Sequence, residues 1–376
     1  MYLESLYLKN FRNYRETNIS FSQGVNLILG GNGEGKTNLI EAIYMLSTSK
    51  SFRSATDNKI KQWETGCYNV IGQFSNENND FEISIEYSEE KKHLSINGIP
   101  EKKISNIIGH VYCVLYFFED IYLIKGPPCL RRNFLDLILS TVDPLYFRRL
   151  RVYLNVLRQK NKYLKDNIRI DRDLLFTWND QLIENGSYII EKRVLLIRFI
   201  NSFIDISLEE IGDLLFPFRL FYKSNIGSLK EKESLSDIKG VFGEKLIKNA
   251  EHEINLRQSV YGPHRDDFLF MDSKFEMRYF GSVGEARLSS IILKQAQAAY
   301  YAKIKNVTPI HLIDDILLEL DMKNTEKVLK LLNKEGQKII TTTERIKLPE
   351  IFSCDLVFHI TNKGNISWKK AGTFTE

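Results

Sequence analysis

The stretch "LILGGNGEGKTNLIEAIYML" (27–46) narrows the possible folds more than any other part of the chain. Four glycines, Gly30, Gly31, Gly33 and Gly35, fall within six residues ahead of Lys36 and Thr37, in the spacing G-x-x-x-x-G-K-[ST]. Glycines let the backbone curl until successive amides point inward at a phosphate, and the positive end of a following helix adds to the attraction. In such a loop Lys36 reaches the β- and γ-phosphates and the Thr37 hydroxyl ligates Mg²⁺, with Asn32, Glu34 and Asn38 completing the expected nucleotide-contacting set. "GVNLIL" reads as a buried strand and "TNLIEAIYML" as a helix, the strand–loop–helix context that the motif requires and that an incidental glycine-rich turn lacks.

A length of 376 residues suffices for two lobes and a sizeable core. Hydrophobic content of 43% and charged content of 27% are ordinary for a soluble globular chain. No apolar run reaches the length of a membrane span, and the start of the chain is not a secretion signal. The four cysteines stand far apart without a C-x-x-C pair, which fits a reducing cytosol and no zinc or disulfide framework. A net charge of +4 does not announce nucleic acid, so local patches must make that case.

Three regions follow from the patterning. Residues 1–127 hold strand, turn, strand, phosphate loop and helix, then short alternating runs ("YNVIGQF", "FEISIEY", "HLSINGI") that predict an antiparallel meander with an Asn97-Gly98 turn, and a buried strand in "HVYCVLYF". Residues 128–255 turn to long helical segments, with Phe147, Leu150, Leu154, Leu157, Asn161 and Leu164 marking a seam between two helices packed antiparallel. Residues 256–376 return to strands and helices ("YGPHRDDFLFM", "PIHLID", "QKIITTT", "DLVFHI"). The predicted class is α/β, a nucleotide-binding core made from both ends of the chain with a helical lobe inserted between.

A phosphate loop alone hydrolyses nothing; it needs an acid for the metal shell and a group to orient water. "PIHLIDDILLELD" ends an apolar run in Asp314, placed on the metal's water shell, and Asp315, aimed at the attacking water. Two adjacent acids can also simply end a strand and cap the next helix, and it is the phosphate loop that favours the functional reading. The long interval between Lys36 and Asp314, and the lack of an N-K-x-D guanine signature, disfavour small GTPases and point to an ATP-binding-cassette architecture. That architecture calls for a serine-glycine loop opening a helix just before the acidic strand. "FGSVGEARLSSIILKQAQAAYYAKI" supplies Ser282 and Gly284 there, a second anion site that in isolation would read as an ordinary helix cap.

With these residues in place the sequence resembles the RecF family, bacterial recombination-mediator ATPases related to the SMC and Rad50 heads. "LYLKNFRNY", "KGPPCLRRNFLD", "YGPHRDDF", "SVGEAR" and "TTTE" stand in the family's order, and the pairing of "KGPPCLRRNFLD" with "GPHRDD" is far more specific than the phosphate loop. The resemblance implies an SMC/Rad50-like head that binds ATP and Mg²⁺, dimerises with ATP, binds duplex DNA near single-strand gaps, and works with RecR and RecO to load RecA in the cytoplasm. It implies slow, DNA-stimulated hydrolysis, a switch rather than a metabolic enzyme. It assigns Lys36 and Thr37 to the phosphate loop, Asp314 to the metal shell, Asp315 to the water, Ser282 and Gly284 to the signature loop, and Asp321 to the loop after the acidic strand. Arg12, within "LYLKNFRNY", joins the cofactor-binding set.

Three positions depart from the family's pattern. Glu285 replaces a glutamine, bringing a like charge near a γ-phosphate and weakening the closed dimer. Phe118 replaces a proline before "ED". Where transporter cassettes carry a histidine, Thr341 to Thr343 stand, as in the family; Thr342 is the candidate catalytic residue there, and a hydroxyl accepts a proton less readily than imidazole. For DNA, the segment 147–165 carries Arg148, Arg149, Arg151 and Arg158 with Lys160, Lys162 and Lys165 and no acid. Those cations read equally as phosphate contacts or as a solvated helix face, and the resemblance tips the reading to DNA. Arg131 and Arg132 read instead as a structural bridge between core and inserted lobe. The rivals are an OLD-type nuclease-associated ATPase, which needs a further acidic metal-binding domain that the sequence lacks room for, and an SMC-like tether acting on DNA without RecA loading, which needs arms far longer than this insertion.

Overall fold

The computed structural model describes the chain except for 54–55, 63, 77–78, 104–105, 212–216, 229–233, 273–274, 317–331, 333–334, 344–353, 362–363 and 371–376. Asp321 therefore lies outside the described residues. The chain divides into two compact units, one formed by Met1–Asp120 with Arg287–Glu376 and the other by Ile121–Ala286. In chain order the first unit contributes β1 (Tyr2–Phe11), β2 (Tyr14–Ser20), β3 (Val25–Gly30), α1 (Lys36–Thr48), β4 (Tyr68–Ser75), β5 (Asp80–Ser88), β6 (Lys91–Ile96), β7 (Ile99–Pro100) and β8 (Cys113–Tyr116). The second holds α2 (Tyr122–Lys125), α3 (Pro128–Val142), α4 (Pro144–Asp166), α5 (Arg172–Ile211), β9 (Phe218–Lys223), α6 (Leu235–Lys248), α7 (Ala250–Leu256), β10 (Asp267–Asp272) and α8 (Met277–Phe280). Next come α9 (Val283–Lys305), whose first turn is counted with the second unit, and then β11 (Ile310–Asp314), β12 (Lys338–Thr342), β13 (Leu356–Thr361) and β14 (Asn365–Lys370).

Two sheets build the first unit. The meander runs in the order β2-β1-β4-β5-β6-β7, antiparallel throughout. Its last hairpin turns through Asn97 and Gly98, with φ of 51° and 74°, the left-handed pair that a two-residue hairpin turn demands. The other sheet runs β14-β13-β3-β12-β11-β8, parallel except for β14 at its edge. Every residue of β8, β11 and β12 is buried, the near-continuous burial expected of parallel strands covered on both faces. Leu39, Ile40, Ile43 and Leu46 of α1 are wholly buried in one cluster with Leu6, Val70 and Ile83 of the meander and Ile310 and Ile339 of the parallel sheet. A single core thus fixes the helix that follows the phosphate loop.

In the second unit α4 and α5 pack antiparallel: Tyr188 bonds Asp143, Arg149 bonds Glu184, and Tyr163 meets Trp178. The seam differs from the one expected. Tyr146, Tyr153, Val156, Leu157, Lys160 and Leu164 are buried, whereas Leu154 is 43% exposed. The tyrosines can turn inward because their hydroxyls find buried partners, Tyr146 on Asp136 at 2.5 Å and Tyr153 on His264 at 2.6 Å. The compact unit also reaches beyond 128–255 at both ends. β10 pairs with β9, and Asp267 holds Arg131 in a two-pronged ion pair at 2.7 and 2.9 Å. Arg132 donates to the Asp266 carbonyl, so both arginines stitch this unit internally. Among the described residues no helix is long and apolar enough to cross a membrane.

Candidate nucleotide site

β3 lies between β12 and β13, and the glycine loop leaves its C-terminal end. A side chain at Gly30 would come within 2.8 Å of the Ile360 carbonyl, and Gly35, at φ 116°, would press one against Asn13 Nδ2 at 2.4 Å. These two glycines are required by space and by backbone conformation. The turn between β1 and β2 braces the loop: Asn13 donates to the Glu34 carbonyl at 2.9 Å and accepts from Asn38 at 2.7 Å, while Tyr14 donates to the Gly35 carbonyl at 3.0 Å. The sequence reading missed both bracing residues, though "RNY" beside the loop's own strand was a possible signal. Gly31, Asn32 and Gly33 form the exposed crest. The first helical amide to close on the loop is that of Leu39, on the Gly35 carbonyl, so those ahead of it are the ones a helix start leaves for an anion.

Lys36 is buried, donates to the Gly30 and Gly31 carbonyls at 2.9 and 3.2 Å, and stands 3.9 Å from Asp315. The acidic strand is not the immediate neighbour of β3, since β12 intervenes. Thr37 nevertheless donates to Asp314 across 3.1 Å, and Thr341 of the intervening strand donates to the same carboxylate oxygen at 2.7 Å. Thr341 therefore orients the acid, a role the reading of "TTT" did not separate from its neighbours. Burial pushes Asp314 above the usual carboxylate range, with the Thr341 hydrogen bond opposing it. Asp315 steps off the strand at φ 50°, its amide held by the Thr341 carbonyl and hydroxyl. Burial raises its pKa too, opposed by Lys36. Thr342 is fully buried, and its hydroxyl oxygen, like Asp315 Oδ1 and the Thr343 hydroxyl, has no hydrogen-bond partner among the described residues. Buried polar atoms left unpaired are costly, and here they gather around a cradle of amides, a lysine and hard oxygen donors. That donor set fits a polyphosphate with a hard divalent cation.

The Arg12 guanidinium grips the wholly buried Glu41 at 2.9 and 2.6 Å and donates to the Lys59 carbonyl at 2.7 Å, so it anchors α1. Ser51 and Arg53 also engage Glu41. Phe118 opens a short turn closed without proline, by the Asp120 amide on the Phe117 carbonyl and the Phe117 amide on the Asp120 carboxylate, both at 3.0 Å.

Ser282 and Gly284 belong to the second unit. Ser282 donates its amide to Glu285 at 2.7 Å and accepts from the Glu285 amide at 3.1 Å, a reciprocal capping box. The box needs a side-chain acceptor at 285, which a glutamate and the family's glutamine supply alike. On α4, Arg148, Arg151, Arg158, Lys162 and Lys165 are exposed. Lys160 is not: it is fully buried between Glu253 at 2.6 Å and Asn179 at 2.7 Å and is withdrawn from the DNA-binding set. Burial lowers its pKa and Glu253 opposes the shift; removing either partner would cost about 3–5 kcal/mol. Arg149 is engaged by Glu184 at 3.0 Å and is set apart from the exposed cations.

The sequence profile of the RecF/RecN/SMC N-terminal domain family matches residues 2–365. The chain is 33% identical over 366 residues to the DNA replication and repair protein RecF of Halothermothrix orenii, covering 96% of this chain and 98% of that one. It is 34% identical over 345 residues to the protein of the same description from Bacillus cytotoxicus, covering 91% and 92%. The solved structure of the recombination mediator protein RecF with ATP, in the RecFOR pathway, matches with a TM-score of 0.89 at 29% identity over 98% of this chain and 97% of that one. An SMC head bound to the C-winged helix domain of ScpA matches at TM-score 0.56 and 17% identity over 99% and 98% of the two chains, a likeness of fold alone. The expected α/β head of the SMC type is borne out, and the chain belongs to the RecF family of DNA replication and repair proteins.

Proposed function

We propose that the chain is an ATP-driven switch on DNA, serving recombinational repair in the RecFOR pathway by helping RecR and RecO load RecA at gaps in cytoplasmic DNA. The observation that carries this reading is the Thr37–Asp314 hydrogen bond, which joins the glycine loop to the acidic strand end beside Lys36 and Asp315. Gly30 to Asn38 hold the triphosphate, with Lys36 on its outer phosphates. Thr37 and Asp314 would hold Mg²⁺, which when bound withdraws charge from the phosphate oxygens. Asp315 orients the attacking water, and burial, by raising its pKa, makes it a better proton acceptor. Thr342 offers only a hydroxyl near the outer phosphate, in keeping with slow turnover. Ser282 and Gly284 of a second copy close over the nucleotide, making two equivalent composite sites in a two-fold dimer.

Lys36→Ala and Ser282→Arg test the composite site. Each alone should be inactive, because both sites of the homodimer carry a defect. In a mixed dimer one site inherits both lesions and the other none, so random pairing should recover about a quarter of wild-type ATPase. No recovery, with mixed dimers shown by cross-linking and no ATP held in them, would sink the trans arrangement. The exposed cations of α4 take the duplex: replacing Arg148, Arg151 and Arg158 with Ala should reduce the salt slope of binding by about 0.9 log units for each phosphate that is no longer neutralised. An unchanged slope would return that face to solvent.

A further inference from the structure

A buried relay in the second unit ends on the Ser282 loop. Arg131, only 1% exposed, fastens Asp267 at one end of its guanidinium. From the other end it donates to the Gly126 carbonyl at 2.8 Å and to those of Leu123 and Ile124, both at 3.4 Å. It thereby locks the C-terminal end of α2. The residue presented by that locked turn is Lys125, whose ammonium donates to the Gly281 carbonyl at 2.8 Å. Gly281 is itself hemmed in: its amide bonds the Met277 carbonyl at 3.0 Å, and a side chain there would meet that carbonyl oxygen at 2.8 Å.

The carbonyl that Lys125 grips and the amide of Ser282 are two ends of one peptide unit. The unit is planar, so holding the oxygen fixes the direction of the Ser282 N–H. A cation on the oxygen also polarises the group and strengthens its N–H as a donor. That N–H now bonds the Glu285 carboxylate at 2.7 Å, so its readiness to meet an anion is already in use. We propose that Lys125 is a positioning residue for the Ser282 loop, aiming and polarising the amide that meets the outer phosphate held by a second copy. The inference rests on the reading of Ser282 as a trans contact.

Lys125→Met, Lys125→Arg and the Ser282→Arg control separate the two claims, using the full chain. With Lys125→Met, ATP affinity measured on dilute monomer should stay within about twofold, while ATP-dependent self-association, followed by sedimentation, should weaken about tenfold or more, as for loss of a charged hydrogen bond. Lys125→Arg keeps a cationic donor and should restore association. The neutral Lys125→Gln carries the same expectation as Lys125→Met, so the test does not hang on one variant's folding. Wild-type association by the neutral variants, with Ser282→Arg impaired, would overturn the role of Lys125 and leave the trans reading standing. Wild-type association by Ser282→Arg would overturn both. Equal loss of nucleotide-free melting temperature and of monomer ATP affinity in the neutral variants would mark Lys125 as structural only and overturn the proposal.

Discussion

Gly30–Thr37 and Gly281–Glu285 both lead into helices, yet they treat their polar groups in opposite ways. The first leaves the amides ahead of Leu39 without helical partners and is bordered by Gly35 at φ 116°, Asp315 in the left-handed region at φ 50°, a buried Asp314, and a Thr342 hydroxyl unpaired among the described residues. The second is satisfied from within, with Ser282 and Glu285 capping each other and Lys125 holding the preceding carbonyl. A site of the first kind is organised before its ligand arrives, at the expense of stability. A site of the second kind must give up an internal hydrogen bond before it can take a ligand.

The contrast can be attacked in order of effect. Asp315→Asn should lower hydrolysis by roughly 10²–10³-fold while leaving ATP binding intact, measured by single-turnover kinetics beside equilibrium binding. Equal loss of both would deny that the chemistry is concentrated at the first loop's acidic wall. Next, Gly35→Ala should destabilise the protein by about 1–2 kcal/mol, because a side chain there is strained and collides with Asn13. Gly284→Ala, in the first turn of α9, meets open space and should be neutral to stabilising, by up to about 1 kcal/mol, in urea unfolding. Similar values for the two glycines would erase the distinction.

The smallest effect concerns pH. Burial raises the Asp314 pKa in the folded chain, so between the unfolded and folded values the native state binds more protons than the unfolded one. Stability is then fullest below the ordinary carboxylate range and falls as pH rises through that window. Asp314→Asn removes the titration, and the nucleotide-free variant should be more stable than wild type at neutral pH, on the order of 1 kcal/mol or less. The advantage should shrink on acidification; a difference constant with pH would assign it to something other than charge.

Which of these features a reader of the sequence can find depends on how local their cause is. The glycine loop is legible because spacing alone dictates its geometry. The parallel strands announce themselves by apolar runs, but their order does not, since "KIITT" looks the same whichever strands flank it; hence the sequence names Thr341 without its role in orienting Asp314. Lys160 was misjudged because a run of cations does not say which faces inward, and its partner Glu253 lies far along the chain. The tyrosine seam of α4 was hidden for the same reason, as Asp136 and His264 come from outside the helix. The grip of Arg12 on Glu41 is likewise not legible, because the two residues lie on different elements.

The order of strands also bears on how the protein is made. β3, which launches the glycine loop, takes both of its neighbours, β12 and β13, from the far end of the chain. At about 5–20 residues per second those strands leave the ribosome tens of seconds after β3 does. During that interval the antiparallel meander can pair locally, but β3 waits with two open edges, the condition in which an apolar strand is most exposed to other chains. A polypeptide cut short before Lys338 would keep every residue of the phosphate loop and still lack the strand that supports Asp314. Joining the acidic strand to the phosphate loop's strand is for that reason a late event: only a chain translated through β12 has the strand that pairs with both.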